Sequence, residues 1–211
     1  MKTKVLLVGA ALAVTAVTAS AASIYSSNVV GYVNLDLVKG WNMIANPLDA
    51  GVNTLDALIQ GVPDGTSVMK FKDGGFTAVS TYDELVEEWG VNYSITPGEG
   101  FFINVPEAVT VTFVGEVKAG NHTVVIPAGW SMVGSPTPVS GTLADIGFVG
   151  PVVEDGDSVM SWNPAKQSYN SANSYDELLE DWGFDQTVDV GGAFFVNKAS
   201  ASTWTRAFEI K

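Results

Sequence analysis

Alternation of apolar and polar residues along short stretches of the chain is the pattern of half-buried β-strands. Residues 29–37 place apolar residues or glycine at every second position, and residues 109–113 alternate apolar residues with threonine. Residues 41–45 and 101–105 are mostly apolar and are bounded by glycine or proline, which predicts buried strands. Residues 67–80 predict a hairpin that turns at an Asp-Gly-Gly sequence.

Two segments interrupt the strand pattern and predict short helices. Residues 81–84 and 174–177 have the spacing of a capping box, in which a hydroxyl at the helix start and a glutamate three residues later bond free N–H groups. A helix of two turns is unstable alone. We therefore expect Leu85 and Trp89, with their equivalents in the second segment, to hold these helices against the sheets. Single helical turns are also predicted, at residues 54–58 and 142–146.

The chain carries one series of motifs twice, which indicates an internal repeat. The Gly-Trp-x-Met motif around Trp41 recurs around Trp130, and the Gly-x-x-Phe-Phe motif that ends at Phe102 recurs at Phe195. Three further blocks keep the same order in both copies, beginning at Thr54 and Thr142, at Gly65 and Gly156, and at Tyr82 and Tyr175. Five blocks in one order make chance similarity improbable.

We predict an all-β protein of two tandem repeats, residues 22–117 and 118–211, each a sandwich- or barrel-like unit with a short capping helix. The distance between matching motifs grows along the chain, which places insertions of the second copy within residues 143–156 and 160–175. The copies are joined by a short turn without a proline- or serine-rich linker, so the two halves are expected to pack together.

The first residues have the pattern of a secretory signal peptide. Two lysines precede an apolar run over residues 5–19, and Ala19-Ser20-Ala21 has the small residues of a cleavage site. The run is short for a transmembrane helix, which needs about 20 residues. We predict a signal peptide at residues 1–21 and a mature chain that is secreted or held at the cell surface, without a membrane span.

Composition narrows the chemistry that is available to the protein. The chain of 211 residues has 10 basic and 23 acidic residues and a net charge of −13, which argues against nucleic acid as a partner. The lack of cysteine excludes disulfides, thiol nucleophiles and cysteine-ligated metals. His122 is the one histidine, which leaves little for histidine metal sites or a catalytic triad.

Aromatic residues divide into those that both copies share and those that they do not. Trp41 and Trp89 have the equivalents Trp130 and Trp182, and we expect all four to fill two equivalent cores, because large aromatics dominate the packing of small domains. The alternative interpretation is that they form paired platforms for sugar rings. Unshared aromatics are the better candidates for carbohydrate binding, although filling a local gap or the contact between halves also explains them. These candidates are Trp204, Tyr169, Tyr93 and Phe148.

Acidic clusters raise the questions of metal binding and acid–base catalysis. Glu154, Asp155 and Asp157 surround a glycine and are candidate Ca²⁺ ligands, although a turn before the next strand explains them without a metal. The carboxylates in residues 83–88 and 176–181 fit a glycoside hydrolase only if two of them face each other across a cleft. Capping and a solvated helix face explain them instead, and no catalytic residue is assigned.

The Gly-Trp-x-Met-(Ile/Val) start and the Gly-x-x-Phe-Phe finish of each copy, with Tyr32 in the first strand, resemble uncharacterised secreted tandem-repeat β-domain proteins of Verrucomicrobia and related bacteria. More loosely, the motifs resemble exported β-domains with Gly-Trp-Asn-Leu-Ile sequences. The resemblance covers most of the mature chain. It implies a secreted or cell-surface β-protein, and it assigns no activity or site residue.

Together these patterns predict a secreted, non-catalytic structural or adhesive protein of the cell envelope or extracellular matrix. Its expected partners are further copies of itself, other envelope or matrix proteins, or polysaccharide. The alternative is a carbohydrate-binding module that uses exposed aromatic residues, and a glycoside hydrolase is the remote alternative. No cofactor is predicted apart from the Ca²⁺ considered above.

Overall fold

The computed structural model describes residues 29–209, so the predicted signal peptide lies outside the described residues. Strands make up 51% of the structure and helices 2%, which confirms the predicted all-β class. Within the described range the sheets are antiparallel and none closes into a barrel. No helix in this part of the chain is long and apolar enough to cross a membrane.

The first half, residues 29–117, contains one long two-stranded sheet and one larger sheet. Its elements are β1 (Val29–Leu37), β2 (Gly40–Ala45), α1 (Leu55–Leu58), β3 (Ser67–Lys72), β4 (Gly75–Phe76), β5 (Ser80–Asp83), β6 (Glu88–Trp89), β7 (Gly100–Val105) and β8 (Val109–Val117). β1 pairs with β8 along its whole length. The larger sheet has the order β2-β7-β3-β5-β6, with β4 paired to β3.

The second half, residues 118–209, has a larger sheet with the same strand order. Its strands are β9 (Gly120–Ile126), β10 (Gly129–Gly134), β11 (Gly141–Thr142), β12 (Ser158–Met160), β13 (Trp162–Asn163), β14 (Ser168–Tyr169), β15 (Asn173–Asp176), β16 (Asp181–Trp182), β17 (Thr187–Val188), β18 (Ala193–Lys198) and β19 (Ser202–Phe208). The order is β10-β18-β12-β15-β16, and β9 pairs with β19, β11 with β17 and β13 with β14.

Each half buries an apolar core of its own. In β1, Leu35 and Leu37 point toward the core while Tyr32 and Asp36 are exposed, as the alternation predicted. Phe101 of β7 and Phe194 of β18 are fully buried in the two separate cores. The first phenylalanine of each double-phenylalanine motif is therefore a core residue of its own half.

A third apolar cluster joins the two halves, and we call this contact the junction. It contains Met43, Ala45, Phe102, Met132, Ala193 and Phe195. The N–H of Ala45 donates to the carbonyl of Gly191 at 2.8 Å, and at the corresponding position the N–H of Gly134 donates to the carbonyl of Gly98 at 3.0 Å. A Cβ on Gly134 would collide with that of Ala45. The halves therefore pack closely, and their main-chain contacts are reciprocal.

The two predicted capping helices are wrong, because both segments form β-hairpins. β5 pairs with β6 through Tyr82 and Trp89, and β15 pairs with β16 through Tyr175 and Trp182. Both tryptophans are buried, as expected. Leu85 lies in the four-residue loop between β5 and β6 and is 95% exposed, so it does not hold the segment against a sheet.

An acidic side chain explains why these loops do not continue as helices. In the first half the Asp83 Oδ1 accepts the N–H of Leu85 at 2.9 Å, and in the second half the Asp176 Oδ1 accepts the N–H of Leu178 at 2.9 Å. An aspartate that bonds the main chain two residues on forms an Asx turn. The acidic residues thus stabilise tight turns rather than helix starts.

One of the two predicted helical turns forms as a helix, and the other segment forms a hydrogen-bonded turn that contains a capping box. α1 is the helical turn of the first half. In the second half the Asp145 Oδ2 accepts the N–H of Thr142 at 2.9 Å, while the Thr142 hydroxyl accepts the N–H of Asp145 at 3.2 Å. The Thr142 N–H, together with the Thr142 hydroxyl that donates to the Asp145 Oδ2 at 2.8 Å, lowers the pKa of Asp145 below its usual value. This reciprocal pattern is the one expected of a capping box.

Candidate functional site

Eight aromatic side chains form one cluster at the junction. Phe102 of β7 and Phe195 of β18 lie at its centre, with ring centroids 6.4 Å apart. Each of the other six rings packs against at least one of these two, and they are Trp41, Phe71, Phe76, Trp130, Trp162 and Tyr169. Most of the pairs meet edge to face, which is a favoured arrangement of aromatic rings. The second phenylalanine of each motif therefore serves the contact between halves.

Three rings of this aromatic cluster face solvent. The exposed fraction is 47% for Phe76, 41% for Tyr169 and 39% for Trp130. Partial burial of Tyr169 raises the pKa of its phenol above the usual value, because it disfavours the charged phenolate. Large apolar side chains that are clustered and exposed commonly mark a contact surface.

On one side of the junction, the β13–β14 hairpin covers the outer edge of β2. Its loop has four residues, 164–167. The Trp41 N–H donates to Gln167 Oε1 at 2.7 Å, and Gln167 Nε2 donates to the Trp41 carbonyl at 2.9 Å. The same carbonyl accepts a bond from the Trp162 indole N–H at 2.8 Å. The edge of β2 at Trp41 is therefore occupied by the chain itself.

On the other side, the edge of β10 at Trp130 is open. The corresponding hairpin of the first half, β3–β4, turns in only two residues, Asp73 and Gly74. Among the described residues, no side chain bonds the main-chain N–H or carbonyl of Trp130. A groove of about 650 Å³ lies there, lined by residues 71–74, 96–99, 123–125 and 127–133. The shorter hairpin therefore leaves a strand edge and a tryptophan accessible.

The surroundings of the glycine that precedes each tryptophan also differ between the occupied edge of β2 and the open edge of β10. Gly40 and Gly129 both have positive φ angles, 98° and 85°. A Cβ on Gly40 would lie 2.7 Å from the Gln167 Oε1, whereas a Cβ on Gly129 would have no heavy atom within 4 Å. The space that Gln167 fills in one half is empty in the groove.

Polar groups line one wall of the groove. Glu99 forms an ion pair with Lys70 at 2.5 Å and accepts the N–H of Thr96 at 2.9 Å, so its carboxylate is fixed. Lys72 and Asp73 carry exposed charges at the rim. The hydroxyl of Ser131 is buried in the groove lining and has no hydrogen-bond partner among the described residues. The groove thus combines an apolar floor with groups that can form hydrogen bonds.

Of the four carbohydrate-binding candidates, only Tyr169 is exposed, and its exposed fraction is 41%. Trp204 and Phe148 are fully buried in the core of the second half, where their ring centroids are 4.8 Å apart, so neither presents a face to a sugar. Tyr93 is half-buried against the first core, and its hydroxyl donates to the carbonyl of Ala78 at 2.8 Å. An unshared aromatic residue here fills space that is particular to its own half.

Phe76 is a candidate contact residue that sequence reasoning missed, and Trp130 is one that it assigned to a core in preference to a binding surface. Trp130 lies in a motif that both copies contain, and it was therefore expected in a core. The difference in hairpin length was visible as a shift of two residues in motif spacing, within the predicted insertion at residues 160–175. That shift was the one local signal that the surroundings of Trp41 and Trp130 differ.

The candidate Ca²⁺ ligands do not come together as a metal site. Asp157 is buried and forms an ion pair with Lys198, whose side chain is also buried. The Asp157 Oδ2 also accepts the N–H of Glu154, and its Oδ1 accepts the N–H of Ala199, each at 2.8 Å. Glu154 and Asp155 are exposed, and no group of three metal-binding side chains occurs in residues 29–209. The Lys198 ammonium takes the place that a cation would need beside Asp157.

Comparison of the chain with protein-family models, with curated proteins and with solved structures found no match. The groove at Trp130 is therefore the feature from which a function is inferred.

Proposed function

We propose that the protein is exported and acts as a non-catalytic adhesive or structural component of the cell envelope or extracellular matrix. The groove beside β10 is its contact surface in this proposal. The observation that supports it is the accessible strand edge at Trp130, next to a tryptophan ring that is 39% exposed. The signal-peptide pattern of residues 1–21 supports export.

The scaffold around the groove suits a binding role. One wall comes from the first half and the β10 edge comes from the second, and the junction holds both through main-chain hydrogen bonds and a packed aromatic cluster. A surface that is ordered before binding loses less conformational freedom when a partner docks. The groove is therefore preorganised for contact.

Co-sedimentation of the mature chain, residues 22–211, with insoluble cell-envelope material tests the proposal. Light scattering and negative-stain imaging of the same protein, with and without Ca²⁺, detect self-assembly. We expect the wild type to bind or assemble and Trp130→Ala to do so at least ten-fold more weakly. Leu178→Ala is the matched control, because Leu178 is 95% exposed and does not line the groove. A wild type that stays monomeric and unbound, or equal binding by all three proteins, contradicts the proposal.

Carbohydrate binding is the second candidate function, and the exposed rings of Phe76, Tyr169 and Trp130 favour it. Aromatic rings offer apolar faces on which sugar rings can stack. Their positions around Phe195 place the three rings within one surface region. A glycan array decides this alternative: a hit that is lost in Tyr169→Ala supports it, and the absence of any hit excludes it.

A further inference from the structure

We infer that the open edge of β10 binds an extended peptide, which adds to the sheet as a strand beside Trp130. This inference rests on the proposed function, because it names the partner of the same groove. Strand addition to an exposed sheet edge is a common mode of peptide recognition, in which main-chain hydrogen bonds supply affinity.

The first argument is the register of the two edges. Trp41 lies opposite Asn104 in β7, and Trp130 lies opposite Asn197 in β18. The N–H and the carbonyl of Trp41 both bond Gln167, which shows that these two groups point away from β7. The equivalent register directs the same two groups of Trp130 away from β18 and into the groove.

The second argument is the chemistry that already fills the equivalent edge. The Gln167 side chain offers one carbonyl and one N–H to a single residue of β2. A residue in a neighbouring antiparallel strand offers the same pair of groups to the residue opposite it. The bonds between Gln167 and β2 therefore show that the equivalent edge of β10 can pair with one carbonyl and one N–H. A peptide main chain supplies both of these groups along its length.

The third argument is the length of the vacant edge. At its far end β10 is closed, because Val133 forms a bridge with Glu99. Met132 is buried in the junction, so residues 129–131 remain, and three residues of strand span about 10 Å. This length accommodates a short extended peptide and leaves the junction intact.

Charge indicates what kind of peptide fits. The chain carries a net charge of −13, which disfavours a strongly anionic partner. The groove floor is apolar around Phe71, Val124 and Trp130, while Glu99 is already paired with Lys70. The expected ligand is therefore a neutral or basic peptide with apolar side chains at alternate positions.

A phage-displayed library of random decapeptides, selected on the mature wild-type protein, provides the probe. Two loop variants provide the test. In the graft variant, Pro-Ala-Lys-Gln replaces Asp73 and Gly74, which gives the first half the longer loop. In the trimmed variant, Asp-Gly replaces residues 164–167 together with Trp162→Phe, which removes both side chains that bond the Trp41 main chain and opens the edge of β2. Calorimetry with a selected synthetic decapeptide is expected to give one site on the wild type, none on the graft variant and two on the trimmed variant.

Hydrogen exchange followed by NMR locates the peptide without relying on the loop variants. Saturation with the decapeptide is expected to slow exchange of the Trp130 amide at least ten-fold and to leave the Trp41 amide unchanged. No enriched peptide, or peptides that bind without protecting the Trp130 amide, would overturn the inference. If envelope binding depends on Trp130 but only polysaccharide competes for it, the proposed function survives and the peptide inference fails.

Discussion

At the scale of single residues, the buried pair of Asp157 and Lys198 shows how one half departs from the other. Both side chains are inaccessible, and the Lys198 ammonium also donates to the carbonyl of Val152 at 2.8 Å. In the first half, Thr66 and Val105 occupy the corresponding positions, and both are buried. One half therefore fills these two buried positions with an ion pair, and the other half fills them with uncharged side chains.

Removing one partner of this pair is expected to be costly. Lys198→Met leaves Asp157 as an uncompensated buried charge, which lowers the free energy of unfolding by about 3–5 kcal/mol. The double variant with Asp157→Thr and Lys198→Val copies the first half and is expected to recover most of that loss. Urea unfolding measures both values. A loss below 1 kcal/mol in Lys198→Met would show that the pair is hydrated and not buried.

Asp49 gives a prediction for pH. Its bond to Lys118 at 2.5 Å, with hydrogen bonds from Asn53 and Gly51, lowers its pKa from 3.8 to about 2. Because the folded pKa lies below the unfolded one, the stabilisation is present above about pH 4 and is lost as pH falls toward 2. The pair is partly exposed, so its contribution is at most about 1 kcal/mol.

The matching variant is Asp49→Asn, compared with wild type by urea unfolding. A stability difference is expected at pH 6 that narrows progressively between pH 4 and pH 2. A difference that stays constant over this range would show that the carboxylate charge is not responsible.

At the scale of secondary-structure elements, the loops of the β5–β6 and β15–β16 hairpins have residues with positive φ near their ends. These residues are Glu87, with φ of 56°, and Glu180, with φ of 52°. Left-handed backbone conformations strain residues that have a Cβ by about 1–2 kcal/mol. The hairpin in the structure and the helix predicted from the sequence therefore imply opposite effects of a glycine substitution on stability at these positions.

Glu87→Gly is expected to raise stability by up to about 1 kcal/mol, because glycine adopts positive φ without strain. Glu84→Gly is the control, since Glu84 is in the same loop and does not have a positive φ. A glycine inside a helix would instead destabilise by about 1 kcal/mol. Thermal unfolding of both variants distinguishes the two structures, and a loss of stability in Glu87→Gly argues against the hairpin.

Strands were predictable from the sequence because alternation over residues such as those of β1 reflects a single buried face. The helices were predicted wrongly because a hydroxyl followed by acidic residues suits a helix start and an Asx turn equally well. Only the pairing of Tyr82 with Trp89, which depends on the other strands of the sheet, decides between them. The local sequence pattern therefore predicts the strands more reliably than the turns between them.

At the scale of the whole molecule, two similar halves meet at a reciprocal junction that is made asymmetric by two residues. The longer loop brings Gln167 to Trp41, which lies 126 positions away in sequence. No local pattern reveals so distant a contact, so the candidate groove was not predictable even though the extra residues were visible. A shared motif predicts a shared environment only when the surrounding loops match.

Amide hydrogen exchange of the free protein, followed by NMR, tests this asymmetry most directly. Gln167 holds the Trp41 amide, whereas the Trp130 amide at the same register faces the groove. We predict that the Trp41 amide exchanges at least ten-fold more slowly than the Trp130 amide, and that Gln167→Ala removes most of this difference. Equal protection of the two amides in the wild-type protein would contradict an open edge at β10.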